Sequence, residues 1–121
     1  MNQFICYSKC STCQKAKKFL LERNIIFQEI EIKENPPKVE DLRQYIKLSG
    51  KSLKNFFNTS GLIYKEMNLK DKLDSMTEDE QLNLLSSNGM LIKRPIFVAN
   101  DFVLIGFKEK EYLEYFGDLN A

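Results

Sequence analysis

Cys6, Cys10 and Cys13 are the chain's only cysteines, and they fall within eight consecutive positions of FICYSKCSTCQKAKKF, residues 4–19. Thiols so spaced can hold a metal, form a redox couple or arm one nucleophile. The spacing Cys6-x3-Cys10-x2-Cys13 matches that of an iron–sulfur site working with S-adenosylmethionine. Such sites need a large barrel and a cluster loop, whereas this chain has 121 residues and Cys6 reads as part of a strand. A closed zinc site takes four ligands, and the sequence has no histidine to complete one. No metal is expected. The missing histidine also removes the commonest general base. Chemistry is left to the Cys10-Ser11-Thr12-Cys13 pair.

The elements around the pair give each thiol a role. Phe4 to Tyr7 reads as a strand. Beyond it Cys13, Ala16, Phe19 and Leu20 recur at helical spacing, with Lys15, Lys17, Lys18 and Glu22 on the outer face and Asn24 near the end. Cys10 therefore stands at the start of a helix, where free N–H groups and the macrodipole favour an anion. Lys9 and Lys15 add positive charge. Such a thiol falls below its free value of about 8.5 and becomes the nucleophile. Cys13, nearly one turn on, brings its Cα about 5 Å from that of Cys10, inside the disulfide range of roughly 4.4–6.8 Å. Cys13 is then the thiol that resolves an adduct on Cys10, with a higher pKa because it is deeper. Cys6 is read as a strand packing residue.

Ile25 to Ile32 reads as a second strand, parallel to the first across the helix. After the Asn35-Pro36-Pro37 turn, Val39, Leu42, Tyr45 and Ile46 form the stripe of a helix closed by Ser49-Gly50. Short helical turns follow, with Leu53, Phe56, Phe57, Leu62, Tyr64 and Leu69 expected to pack on the body. Thr77 and Glu80 make a capping box for a helix carrying Leu82 and Leu85, which Asn88-Gly89 should end. Ile96–Val98 and Phe102–Ile105 suit a hairpin around Ala99-Asn100-Asp101. Residues 108–116 read as a closing helix with Tyr112, Leu113 and Phe116 inward. The order βαβ, helical insert over about 38–88, ββα is α/β and thioredoxin-like. It predicts a four-stranded mixed sheet flanked by helices, in one domain over residues 1–121. In such folds a proline like Pro95, directly before a strand, faces the CxxC and leaves backbone groups free for a thiol substrate. The X–Pro bond there is a candidate for cis. Arg94 would bring a multi-donor cation towards Cys10.

Eighteen Lys and Arg against 17 Asp and Glu leave a formal charge of +1, which gives no electrostatic mandate for nucleic acid. No direct DNA binding is expected. The first apolar run is too short for a secretory or membrane segment. A cytoplasmic location away from membranes is the expectation, and there a Cys–Cys bond is transient and chemical.

YSKCSTCQKA, NPP, FFNTSG, LKDKL and GMLIKRPIFV together resemble the arsenate reductase (ArsC)/Spx family, closest to its reductase-like branch with CxxC. The resemblance covers nearly the whole chain. It implies the thioredoxin-like core, Cys10 as the catalytic or redox-sensing thiol, and Ser11, Thr12, Arg94 and Pro95 on the substrate or oxyanion side. Where glutaredoxin-dependent arsenate reductases carry a histidine and arginines, this sequence has Cys6, Gln14, Asn58 and Phe107. Of Arg23, Arg43 and Arg94, only Arg94 matches an anion-binding position. The expected function is a thiol–disulfide oxidoreductase with no bound cofactor, acting on a thiol, disulfide or oxyanion substrate. Glutathione or a redox partner protein such as glutaredoxin or thioredoxin would be the electron donor. Arsenate reduction is the first alternative. The second is a Spx-like redox sensor that binds the RNA polymerase α subunit; Gly50 lies near the region those regulators use but reads as a helix cap.

Overall fold

The computed structural model describes residues 1–117. Its strands are β1 (Gln3–Cys6), β2 (Gln28–Glu31), β3 (Ile96–Val98) and β4 (Val103–Ile105). Its helices are α1 (Ser11–Glu22), α2 (Val39–Ser49), α3 (Leu62–Glu66), α4 (Leu69–Lys72), α5 (Glu78–Ser87) and α6 (Glu109–Phe116), with 3-10 turns at Leu53–Phe56, Leu73–Ser75 and Gly89–Leu91. The sheet order is β2-β1-β3-β4. β1 and β2 run parallel with Ile5 opposite Ile30, as the α1 crossover demands. β3 lies antiparallel to β1, with Ile5 opposite Ile96, and β4 antiparallel to β3. This is the mixed four-stranded α/β sheet expected from the sequence.

Strand alternation sorts the apolar residues into two cores. Phe4, Cys6, Phe97 and Leu104 face α1 and α6, where they meet Cys13, Ala16, Phe19, Leu20 and Tyr112. Ile5, Ile96, Val103 and Ile105 face the other way, onto Leu42, Phe56, Phe57, Leu82, Leu85 and Leu91 of the insert. β1 is thus clamped on both faces, and its last residue delivers the chain to the cysteine pair.

Local signals explain most boundaries. Asn24 takes φ +57° after α1, and Gly50 takes φ +69° after α2, the left-handed geometry that stops a helix. Thr77 and Glu80 close a reciprocal capping box on α5: Thr77 N–H donates to Glu80 Oε1 at 2.8 Å, and Glu80 N–H to Thr77 Oγ1 at 3.1 Å. Arg43 ties α2 to the same helix end through Glu78 and Asp79.

Several expectations are corrected. β2 is confined to Gln28–Glu31, where its pairing with β1 starts at Gln3 opposite Gln28 and Ile25–Phe27 lie outside the ladder. Leu62 does not pack on the body; it opens α3 with 71 % of its surface exposed. Phe102 sits in the hairpin loop, where its carbonyl accepts from Ala99 N–H at 2.9 Å, and β4 begins one residue later. α5 does end at Asn88 as expected, but Asn88 is extended, at φ −155°, and not in the left-handed geometry of a glycine-type cap. Asn88 Oδ1 instead accepts from Met90 N–H at 2.9 Å and caps the next turn. Gly89 is required for space: a Cβ there would lie 2.1 Å from the Ile32 carbonyl oxygen. Helical structure therefore continues to Leu91, past the expected end of the insert at residue 88.

Candidate redox site

Cys10 is the N-cap of α1, in extended geometry at φ −93° and ψ 123°. Its N–H donates to the Tyr7 carbonyl at 2.9 Å, and its own carbonyl accepts from Gln14 N–H at 3.1 Å. These bonds turn the chain from β1 into the helix within three residues. The Gln14 side chain braces the same turn, donating to the Ser8 carbonyl at 2.6 Å. Gln14 is therefore a structural residue on the far side of the helix start and does not face substrate space.

All three cysteines are free thiols, with Cys10 half-buried and the other two buried. Their surroundings separate them. Burial works to raise the pKa of Cys10, but it is outweighed. The Cys13 N–H and thiol, the Thr12 N–H and the Arg94 charge all stabilise the thiolate, and the net direction is down. Cys13 goes the other way, to about 12, because burial dominates despite the bond its sulfur receives from Tyr7 N–H at 3.3 Å. Cys6 is pushed to about 11 by burial and then by the Glu29 and Glu31 carboxylates. Cys10 is the one of the three whose surroundings favour the thiolate.

Cys10 opens onto a cleft of about 540 Å³, lined also by Thr12, Asn58, Ser60, Gly61, Lys93, Arg94, Ile105, Gly106, Phe107 and Lys108. No acidic side chain lines it, so the space beside Cys10 is cationic. The Arg94–Pro95 peptide is cis. Arg94 is aimed by its own neighbourhood: Nη1 donates to the Met90 and Ile92 carbonyls at 3.3 and 3.4 Å, and the guanidinium lies 5.2 Å from the Tyr7 ring centre. Its Nε is buried with no partner among the described residues.

The structure brings Cys10, Thr12 and Arg94 together at the cleft, with Cys13 immediately beneath. Ser11 and Pro95 do not line it. Ser11 is exposed on the first turn of α1, and Pro95 is buried, its carbonyl accepting from Gly106 N–H at 2.7 Å. Lys9 and Lys15 do not line the cleft either. Lys93 does, and the sequence reading passed it over although it directly precedes Arg94. Gly106, at φ +74°, lets the Lys93 stem lie across it; a Cβ there would stand 2.8 Å from Lys93 Cε. Asn58 owes its place to Gly61 in the same way, since a Cβ at 61 would meet Asn58 Nδ2 at 2.7 Å. Among the described residues no group of three or more Cys, Asp or Glu side chains is placed to hold a metal. None of the described helices is long and apolar enough to cross a membrane.

The ArsC family model matches residues 6–115 of the chain. The "Uncharacterized protein YusI" of Bacillus subtilis is 53 % identical over 92 % of this chain and 94 % of its own length. The "Regulatory protein MgsR" of the same organism is 31 % identical over 92 % of this chain and 86 % of its own. Among solved structures, that of "a possible arsenate reductase" from Streptococcus mutans UA159 superposes with a TM-score of 0.85. It is 44 % identical, over 95 % of this chain and 98 % of that one.

Proposed function

Given that the chain belongs to the ArsC family, we propose that it is a thiol–disulfide oxidoreductase with Cys10 as nucleophile and Cys13 as resolving thiol. The observation that carries this is the contrast between the two thiols: Cys10 lowered and open to the cleft, Cys13 raised and buried beneath it. In the forward step the Cys10 thiolate attacks one sulfur of a substrate disulfide, and the other sulfur leaves as a thiolate. Cys13 then gives up its proton and attacks Cys10 Sγ, releasing the bound half as a thiol and leaving a Cys10–Cys13 disulfide. Glutathione, glutaredoxin or thioredoxin, in a reducing cytoplasm, would return the pair to thiols.

The cleft supports the substrate side of this reading. The Thr12 N–H and the Arg94 guanidinium hold negative charge at Cys10, and Lys93 and Lys108 extend the cationic surface outward. Turnover of a small disulfide tests the assignment. Cys10→Ser is expected to abolish it, and Cys13→Ser to stall it at a mixed disulfide. Full activity in both variants refutes the mechanism.

Two other readings have their own supports. A cationic cleft beside a thiolate suits an arsenate oxyanion, and turnover of arsenate with glutathione and glutaredoxin above a Cys10→Ser control decides that. MgsR is named a regulatory protein, and a redox-dependent interaction with the RNA polymerase α subunit is tested by a pull-down with oxidised and reduced protein. The observed left-handed geometry of Gly50 serves α2 as its C-cap whichever reading holds.

A further inference from the structure

Cys6 has no part in the chemistry above, yet it is not placed like an ordinary packing residue. Its side chain leaves β1 on the face that meets α1, in the same cluster as Cys13. Cys13 Sγ sits 3.3 Å from Tyr7 N, the nitrogen of the peptide that Cys6 begins. Backbone dimensions then bring Cys13 Sγ within about 6 Å of Cys6 Cα, so the two side chains are close neighbours on the same face of β1. Room for side-chain rotation exists: Cys6 and Cys13 share a small pocket of about 60 Å³, with Gln14, Lys17 and Glu29 at its rim. Cys10 does not line this pocket, and neither Cys6 nor Cys13 lines the large cleft. Cys13 is therefore a neighbour of both other thiols: its thiol is hydrogen-bonded to Cys10, and it shares the small pocket with Cys6. Thiol–disulfide exchange needs a thiol adjoining one sulfur of the disulfide, and Cys6 adjoins Cys13.

We propose that Cys6 is a third redox thiol, which attacks Cys13 Sγ of the oxidised Cys10–Cys13 pair, forms a Cys6–Cys13 disulfide and frees Cys10 for another reaction. The proposal rests on the reading of Cys10 and Cys13 as a redox pair. Cys6 loses its proton to water at the mouth of the small pocket. Its thiolate forms a bond to Cys13 Sγ, the Cys10–Cys13 bond breaks, and Cys10 leaves as the thiolate. One disulfide replaces another, so no outside oxidant or reductant takes part.

Leaving-group chemistry drives the exchange in this direction. The thiol with the lowered pKa leaves fastest, and its thiolate is the one the helix N–H groups and Arg94 stabilise. The thiols joined in the product are the two whose thiolates burial disfavours. The slow part is ionising Cys6, which limits the rate without changing the direction. The result is a protein that stores its disulfide in the core while Cys10 remains reactive at the cleft.

Trypsin cleavage after Lys9 tests this on the unaltered chain, because it puts Cys6 in peptide 1–9 and both Cys10 and Cys13 in peptide 10–15. The protein is oxidised with limiting diamide and left to equilibrate. Free thiols are then blocked with N-ethylmaleimide in mildly acidic denaturant, and the digest is read by mass spectrometry. A cross-link between the two peptides, with the maleimide on Cys10, is the expected result. A disulfide confined to peptide 10–15, with the maleimide on Cys6, overturns the exchange while leaving the redox pair intact. A Cys6–Cys10 link also overturns it, and no intramolecular disulfide at all overturns both readings.

Alkylation kinetics give an independent readout. With exchange, the oxidised protein keeps a fast neutral-pH thiol, within roughly tenfold of the reduced protein's rate, and Cys6→Ala loses it. Without exchange only Cys6 remains free. Its thiolate fraction at neutral pH is far below that of Cys10, because burial pushes Cys6 up to about 11 while the helix N–H groups and Arg94 bring Cys10 down.

Discussion

Arg94→Gln separates the two jobs that the site gives this side chain. The glutamine amide can still reach towards the Met90 and Ile92 carbonyls that Arg94 now holds at 3.3 and 3.4 Å, but it carries no charge. Among the influences that lower Cys10, the N–H groups of Cys13 and Thr12 and the Cys13 thiol stand ahead of the Arg94 charge. The cleft is open to water, and a charge interaction in such a setting is worth about 1 kcal/mol or less. One pKa unit corresponds to about 1.4 kcal/mol, so losing the guanidinium should raise Cys10 by less than about one unit. A rise of that size cuts the neutral-pH thiolate fraction by up to about tenfold. The more basic thiolate recovers about threefold of that in nucleophilicity. Iodoacetamide labelling of Cys10 should therefore slow by about threefold or less at neutral pH and catch up with the wild type in alkali. Turnover of an anionic substrate should fall further, because a binding contact is lost as well. The assay is the labelling rate against pH for both proteins, with Cys10→Ser as the blank. A shift of several units would refute the ranking in which helix N–H groups lead and Arg94 follows, and superimposable profiles would refute any part for the Arg94 charge at Cys10.

Alkaline stability follows from the buried acids. Between about pH 9 and about 11 an unfolded Cys6 is ionised while the folded one keeps its proton, so the unfolded state binds fewer protons and stability falls as pH rises. Each such group costs about 1.4 kcal/mol per pH unit over its window, and Cys13, Tyr45 and Tyr112 are raised in the same sense. Urea midpoints across this range should drop steeply, and Cys6→Ala should flatten the slope by about one group's worth; an unchanged slope contradicts the assignment. Gly89→Ala places a Cβ 2.1 Å from the Ile32 carbonyl oxygen. It should destabilise by more than about 3 kcal/mol, the range of changes with a specific structural cause, and a urea midpoint near wild type would contradict the contact. Tyr112→Phe removes the buried hydroxyl that donates to the Gly106 carbonyl at 3.1 Å, at a cost of about 1–3 kcal/mol. Because Gly106 also lines the cleft, calorimetry and turnover should change together; a loss in neither would show that the bond holds nothing in place.

The sequence was most legible where a residue type is tied to a local backbone need. The α1 stripe, the Thr77–Glu80 box, Asn24 and Gly50 all act through bonds or dihedrals within a turn or so of themselves, and they lie where the pattern put them. It was least legible where the decisive neighbour is distant in the chain. Gly89 looks like a helix cap until the Ile32 carbonyl is seen pressed against it. Leu62 looks like core because periodicity shows a stripe without showing what the stripe meets. Gln81 gave no signal, yet it is buried and donates to the Leu73 and Met76 carbonyls at 3.0 and 3.3 Å, anchoring the turn before α5. At the site, Cys10 and Arg94 were found from residue type and motif. Lys93 was missed because an exposed lysine carries no spacing signal, and its place in the cleft depends on the bare backbone of Gly106 across from it.

The difference between Cys10 and Cys13 is tested most directly by intact-mass analysis after mixing the protein with excess oxidised glutathione at neutral pH. Cys13→Ser should gain a single glutathione, mapped to Cys10, and hold it until a thiol is added. Cys6→Ala, which keeps both thiols of the pair and cannot pass the disulfide on to Cys6, should pass through that adduct and accumulate an intramolecular Cys10–Cys13 disulfide instead. A stable glutathione on Cys6, or equal trapping in Cys6→Ala and Cys13→Ser, would contradict the assignment of Cys10 as attacking thiol and Cys13 as resolving thiol.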